Sequence, residues 1–171
     1  MHLIEPCCTP KHLLALRHIL GESGTTLWHG YGDLSLAELL PPLLTRYSEV
    51  EMLMVTPSLP DAAAAVVRRM MEQQYPTLDG KGILNTIRHL MLVCDCSEKR
   101  SPLASTWLKK NPFPDRLTLK NVQQNDTAII LPDIALCGPI NLTYGGHFTA
   151  MATKNTRTIT SLRSTFSRLP K

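Results

Sequence analysis

Aromatic residues are scarce: two Trp, four Tyr and three Phe stand among 171 residues. So few rings argue against a stacking platform for unpaired bases. They also leave the core to Leu, Ile, Val, Ala and Met. Acidic residues stop at Asp133. Beyond it come Lys154, Arg157, Arg163, Arg168 and Lys171 with no carboxylate to offset them. A long apolar run is missing too. Residues 134–153 contain no Asp, Glu, Lys or Arg, but Gly138, Pro139, Asn141, Gly145, Gly146 and His147 interrupt them. That pattern reads as strand, loop and strand rather than a membrane span. The first twenty residues carry Glu5 and Pro6 and no apolar stretch of the signal-peptide kind, so no leader is expected.

Cysteine is present in an odd number, at Cys7, Cys8, Cys94, Cys96 and Cys137. A chain of this length buries an adequate core without disulfides. The odd count therefore predicts free thiols in a reducing, cytoplasmic compartment. Two phosphate-binding signatures and one nucleophile signature are absent. Gly30-Tyr31-Gly32 lacks the third glycine of a dinucleotide turn and the Gly-Lys-Ser/Thr ending of a triphosphate loop, and no Ser lies in a Gly-x-Ser-x-Gly elbow. Cys94-x-Cys96 is not a usual zinc spacing, even with His89 and Cys137 added. No metal and no cofactor are expected.

What is present is an alternation of periods. A short amphipathic helix is expected over 10–20, and residues 1–24 read as a helical extension ahead of one α/β domain over 25–171. Strands are expected over 25–32, 49–57, 89–96 and 116–122. Helices are expected over 36–47, 61–74 and 101–111. Ser58 and Asp61 have capping-box spacing, and 75–82 is rich in turn formers. Met52 to Val55 is apolar at every position, as in a strand covered on both faces. Three short strands follow over 128–131, 134–137 and 148–152, the first two joined by Pro132-Asp133. Asn155 or Thr156 then caps a last helix with an apolar stripe of Ile159, Leu162, Phe166 and Leu169. This order predicts a mixed, mainly parallel sheet flanked by helices on both faces.

The β-α-β order, the stretch TAIILPDIALCGPINLT, a further strand and a closing helix together resemble the phospholipase D superfamily, in particular its small single-domain, nuclease-like members. The resemblance covers about residues 25–169. Such members use a His-x-Lys motif, an Asp after four more residues, and a later Gly-Ser/Gly-x-Asn element. The His attacks phosphorus, and the Lys and Asn hold phosphate oxygens. In this chain Asn125-Asp126-Thr127 stands in place of the His-x-Lys. The Asp falls at Pro132 or Asp133, the later element reads Gly138-Pro139-Ile140-Asn141, and the downstream Glu is replaced near Thr149. An amide is no nucleophile at neutral pH, and a hydroxyl does not replace an ammonium. The resemblance therefore implies the fold without the activity, and also a homodimer.

The expected function is a catalytically silent phospholipase D-like domain that serves as a binding or scaffold module for nucleic acid, another polyanion or another protein. Asn141, Lys154, Arg157, Arg163 and Arg168 are the candidate phosphate-binding residues. The basic surface also fits a purely solubilising role. So does a second basic stretch, Lys99, Arg100, Lys109, Lys110, Arg116 and Lys120. The alternative is a phosphodiesterase or nuclease with a rebuilt site, for which Asn141, His147 and Asp133 are the candidate catalytic residues.

Overall fold

A computed structural model describes residues 21, 23–31, 43–44, 46–72, 87–138 and 147–169, with backbone alone for 28–31 and 147–150. The expected helix over 10–20, Cys7-Cys8, most of 36–47, the loop over 75–82 and Asn141 lie outside the described residues. Seven strands form one sheet: β1 (Thr25–Tyr31), β2 (Val50–Val55), β3 (Ile87–Cys94), β4 (Leu117–Asn121), β5 (Ala128–Ile130), β6 (Ala135–Cys137) and β7 (His147–Thr153). Their order is β1-β7-β6-β5-β2-β3-β4. The described helices are α1 (Asp61–Met71), α2 (Pro102–Lys109) and α3 (Thr156–Ser167).

The sheet is mixed and covered on both faces, as the alternation implies, but it is not mainly parallel. Only β2/β3 and β3/β4 run parallel; the other four pairings are antiparallel. The reason lies in connection length. Each parallel pair needs a crossover long enough for a helix, whereas Pro132-Asp133 between β5 and β6 allows only a hairpin. That hairpin is closed by Leu131 N–H donating to the Ile134 carbonyl at 2.8 Å.

Alternate residues of the central strands feed two cores. Met52, Met54, Leu90, Leu92 and Cys94 pack with Ala63, Ala64, Val67 and Met71 of α1 and Ala104 and Trp107 of α2. Leu53, Val55, Val93, Ala128 and Ile130 pack on the other side with Ile159, Leu162 and Phe166 of α3. This two-sided burial explains the unbroken apolar run from Met52 to Val55. The Asn155 side chain caps α3 by accepting from Thr158 N–H at 3.1 Å, as expected. Ser58 does not cap α1. Pro60 occupies the cap position without a side-chain bond, and the Ser58 carbonyl instead accepts from Thr56 Oγ1.

Lys120 is a buried cation, 5% exposed, on β4. Its Nζ donates to the Ser167 carbonyl and, at 2.7 Å, to the Leu169 carbonyl. It thus satisfies the open carbonyls at the end of α3, where the helix dipole also favours positive charge. Among the described residues, no helix is long and apolar enough to cross a membrane.

Candidate functional site

Strand directions define two ends of the sheet. The parallel strands finish together at Val55, Cys94 and Asn121. β5 begins and β6 ends at the same level, because Ala128 pairs with both Val55 and Cys137. The His147 end of β7 points the same way and pairs with Tyr31. Ligands of open α/β sheets gather at this end.

The loops here are held by side chains meeting backbone. Asn121 Oδ1 accepts from Cys96 N–H at 2.9 Å, and Asp95 Oδ1 accepts from Ser97 N–H at 2.9 Å. Ser101 Oγ accepts from Leu59 N–H at 2.8 Å. The Asp95 carboxyl is held below the usual carboxylate range, first by the Ser97 N–H and then by its hydroxyl. Gln124 Nε2 donates to the Val93 carbonyl at 3.4 Å, while its buried Oε1 has no partner.

The chain enters β5 through exposed Asn125 and Asp126 and buried Thr127. The Thr127 carbonyl accepts from Gly138 N–H at 3.0 Å, which joins the approach to β5 to the exit from β6. Gly138 has φ +134°, a conformation that a side chain would strain. Cys137 packs in the α3-side core, and burial pushes its thiol up. The residues meeting here are an amide, a carboxylate, a hydroxyl and a protonated thiol. None of them is an imidazole or an ammonium group.

The expected site residues are dispersed. Asn141 lies outside the described residues, and His147 is placed by its backbone only. Asp133 lies at the opposite end, in the β5–β6 turn, where it accepts from Arg46 and from the Tyr47 hydroxyl. Six residue steps along β7, about 20 Å, separate the level of His147 from that of Ala135. Asp133 and His147 therefore do not share a site. Arg163 is also at the far end, donating to the Glu51 and Ile130 carbonyls at 3.4 and 3.3 Å. It lines a cavity of about 420 Å³ with Glu49, Val50, Glu51, Arg88 and Pro132. The mixed charge of this cavity does not select an anion.

Arg157 and Arg168 are exposed at the two ends of α3, about 16 Å apart along the axis. Lys154 lies just ahead of the helix, its N–H on the Gly24 carbonyl at 2.7 Å. The second basic stretch is largely occupied. Arg116 donates to the Met71 and Ile87 carbonyls, Lys109 pairs with Glu98 at 2.7 Å, and Lys120 holds α3. Those side-chain-to-carbonyl bonds join residues remote in sequence and leave no local signal.

The cysteines divide by face. β3 ends at Cys94, so Cys96 lies past the strand rather than in it. The two thiols still meet, Sγ to Sγ at 3.6 Å and both buried, in the core opposite Cys137. His89 donates or accepts across to Thr118 Oγ1 at 3.0 Å. Among the described residues no cluster could hold a metal ion.

No family model matches this sequence, and no curated protein matches it. Solved structures do match. Over 99% of its length the chain superposes on polyphosphate kinase from Porphyromonas gingivalis with a TM-score of 0.57 at 12% identity, covering 30% of that chain. Over 83% it superposes on phosphatidylserine synthase from Haemophilus influenzae with a TM-score of 0.52 at 11% identity, covering 37% of that chain. The chain thus spans about a third of either protein. Both are members of the phospholipase D superfamily; at identities this low the likeness concerns architecture, and this chain has a phospholipase D-like fold.

Proposed function

We propose that this chain is a catalytically silent phospholipase D-like domain, cytoplasmic and homodimeric, that binds the phosphates of nucleic acid or another polyanion. The observation that carries the reading is the approach to β5. Asn125, Asp126 and Thr127 stand there in the sequence, where the resemblance implies an attacking imidazole and a phosphate-holding lysine. In-line transfer at phosphorus needs both a nucleophile and positive charge in one pocket. Binding needs only charge and donors. Arg157, Arg168 and the amide-rich start of α3 supply these on a helix that carries no acid. Arg163 contributes less, because its guanidinium already serves two backbone carbonyls.

The test is duplex binding measured by fluorescence anisotropy across a salt series. Affinity is expected to fall steeply with salt. The double variant Arg157→Ala/Arg168→Ala is expected to bind more weakly, with a slope shallower by about two phosphate contacts. Binding that ignores salt, or a double variant that behaves as the parent, would remove the polyanion reading. Catalytic silence is tested separately with plasmid and bis-p-nitrophenyl phosphate, with and without EDTA. Turnover that His147→Ala abolishes would establish the phosphodiesterase alternative. Sedimentation that gives a monomer at all concentrations would remove the dimer.

A further inference from the structure

The end of β3 holds two thiols that take no part in phosphate binding. Cys94 Sγ and Cys96 Sγ are 3.6 Å apart, and Cys96 Sγ also lies 3.6 Å from the Cys94 carbonyl. We propose that Cys94 and Cys96 are a peroxide-sensitive dithiol that closes reversibly to an intrachain disulfide at the C-terminal end of β3.

Geometry supports closure. In a fully extended strand, residues two apart have Cα atoms about 6.4–6.8 Å apart, at the upper limit of disulfide spacing. Here the strand stops at Cys94, and the Ser97–Arg100 segment that follows is an exposed turn, so the backbone can tighten. The sulfurs need to approach from 3.6 Å to about 2.0 Å. A bridge across one intervening residue is strained. Strained bridges are easily reduced, which suits a switch rather than a structural staple.

The two sulfurs also differ in chemistry. The contact with Cys94 holds the Cys96 thiol below its ordinary range. The same contact, followed by burial, pushes the Cys94 thiol up. Cys94 is fully buried at the strand end, whereas Cys96 lies past the strand beside the exposed Ser97. Cys96 is accordingly the sulfur that meets the oxidant and Cys94 the resolving thiol. Cys96 sulfur attacks one peroxide oxygen and the O–O bond breaks. The leaving hydroxide takes a proton to become water, or an alcohol if the oxidant is an organic peroxide, and Cys96 becomes a sulfenic acid. Cys94 sulfur then attacks Cys96 sulfur, the S–O bond breaks, and the hydroxyl leaves as water with the Cys94 proton. Two thiols and one hydrogen peroxide thus give one disulfide and two waters, and an added dithiol reverses the change.

Closure would be transmitted to neighbouring loops. The Cys94 carbonyl accepts from Val122 N–H at 3.0 Å, and Cys96 N–H is bound to Asn121 Oδ1. Ser101, which bonds the Cys94 sulfur, also holds Leu59 N–H.

The experiment treats the folded, reduced protein with hydrogen peroxide, quenches it, alkylates all free thiols under denaturing conditions and digests with trypsin. The peptide His89–Lys99 contains both cysteines. It is expected to lose two hydrogens and both alkyl adducts, and to regain the adducts after dithiothreitol. Met91 sulfoxide in the same peptide adds oxygen without changing the alkylation count. Cys94→Ser is expected to accumulate a dimedone-reactive Cys96, and Cys96→Ser to leave Cys94 unoxidised. Full alkylation of the parent peptide after peroxide would overturn the proposal, as would Cys96 sulfinic acid beside an unoxidised Cys94. Sulfenic acid on Cys94 in Cys96→Ser would overturn the assigned roles. The parent digest needs no variant, so a misfolded substitution does not shield the proposal.

Discussion

The two ends of this sheet are built differently. At the end opposite the candidate edge, long charged side chains tie separate elements together. Arg46 and Tyr47 bind Asp133, and Arg163 reaches two backbone carbonyls. At the end where the parallel strands finish, Lys120 holds the close of α3, but the loops themselves are braced by short side chains: Asn121 on Cys96, Asp95 on Ser97, Ser101 on Leu59. That edge keeps an unpaired acceptor at Gln124, exposed Asn125 and Asp126, and a thiol pair. Polar groups at the first end join elements remote in sequence, whereas those at the second mostly shape its own loops. A cavity of about 420 Å³ lies at the cross-linked end.

Substitutions at either end test this difference. The largest effect is expected from Lys120→Met, which leaves the Ser167 and Leu169 carbonyls without their cation and loosens α3 beside the candidate edge. About 2–3 kcal/mol should be lost, read as a lower urea midpoint. A loss under about 0.5 kcal/mol would mean that water replaces the ammonium at that helix end.

Next is Gly138→Ala. At φ +134° an added Cβ should cost about 1–3 kcal/mol, and it acts at the junction between Thr127 and β6. An unchanged midpoint would show that the turn relaxes freely. The smallest effect concerns pH at the opposite end. Burial, followed by the Asp133 hydrogen bond, raises the Tyr47 hydroxyl above the ordinary phenol range. A raised pKa means that the folded state holds this proton more tightly. The contribution is therefore complete below about pH 10 and declines as pH climbs through the folded value. Tyr47→Phe should flatten the loss of stability above pH 10. Parallel curves for the two proteins would show that the Asp133 contact does not hold the phenol.

Much of the fold was legible along the chain. The two-residue and 3.6-residue periods located every described strand and helix to within a few positions, and Asn155 marked the start of α3. Boundaries failed where local chemistry is ambiguous. Cys94-Asp95-Cys96 continues a strand-like pattern, yet β3 stops at Cys94 because Asp95 turns back on Ser97 N–H. Strand direction failed as well. An alternating order suggests parallel pairing, but a two-residue connection forces a hairpin.

The candidate site was less legible. Arg163 and Lys120 look alike as basic residues in a list, yet both serve carbonyls brought near only by packing of α3 on the sheet. Asp133 and His147 are close in sequence but held at opposite ends of the sheet. Local matters could be read along the chain: an aliphatic two-sided core, the order of elements, and an approach to β5 without imidazole or ammonium. Tertiary structure decided which charges are occupied, and that the Cys94 and Cys96 thiols meet in the core opposite Cys137. The physical reason is range. Period and capping act over a few residues, whereas a cation's partner or a thiol's neighbour is set by chain segments that only the packed sheet brings together.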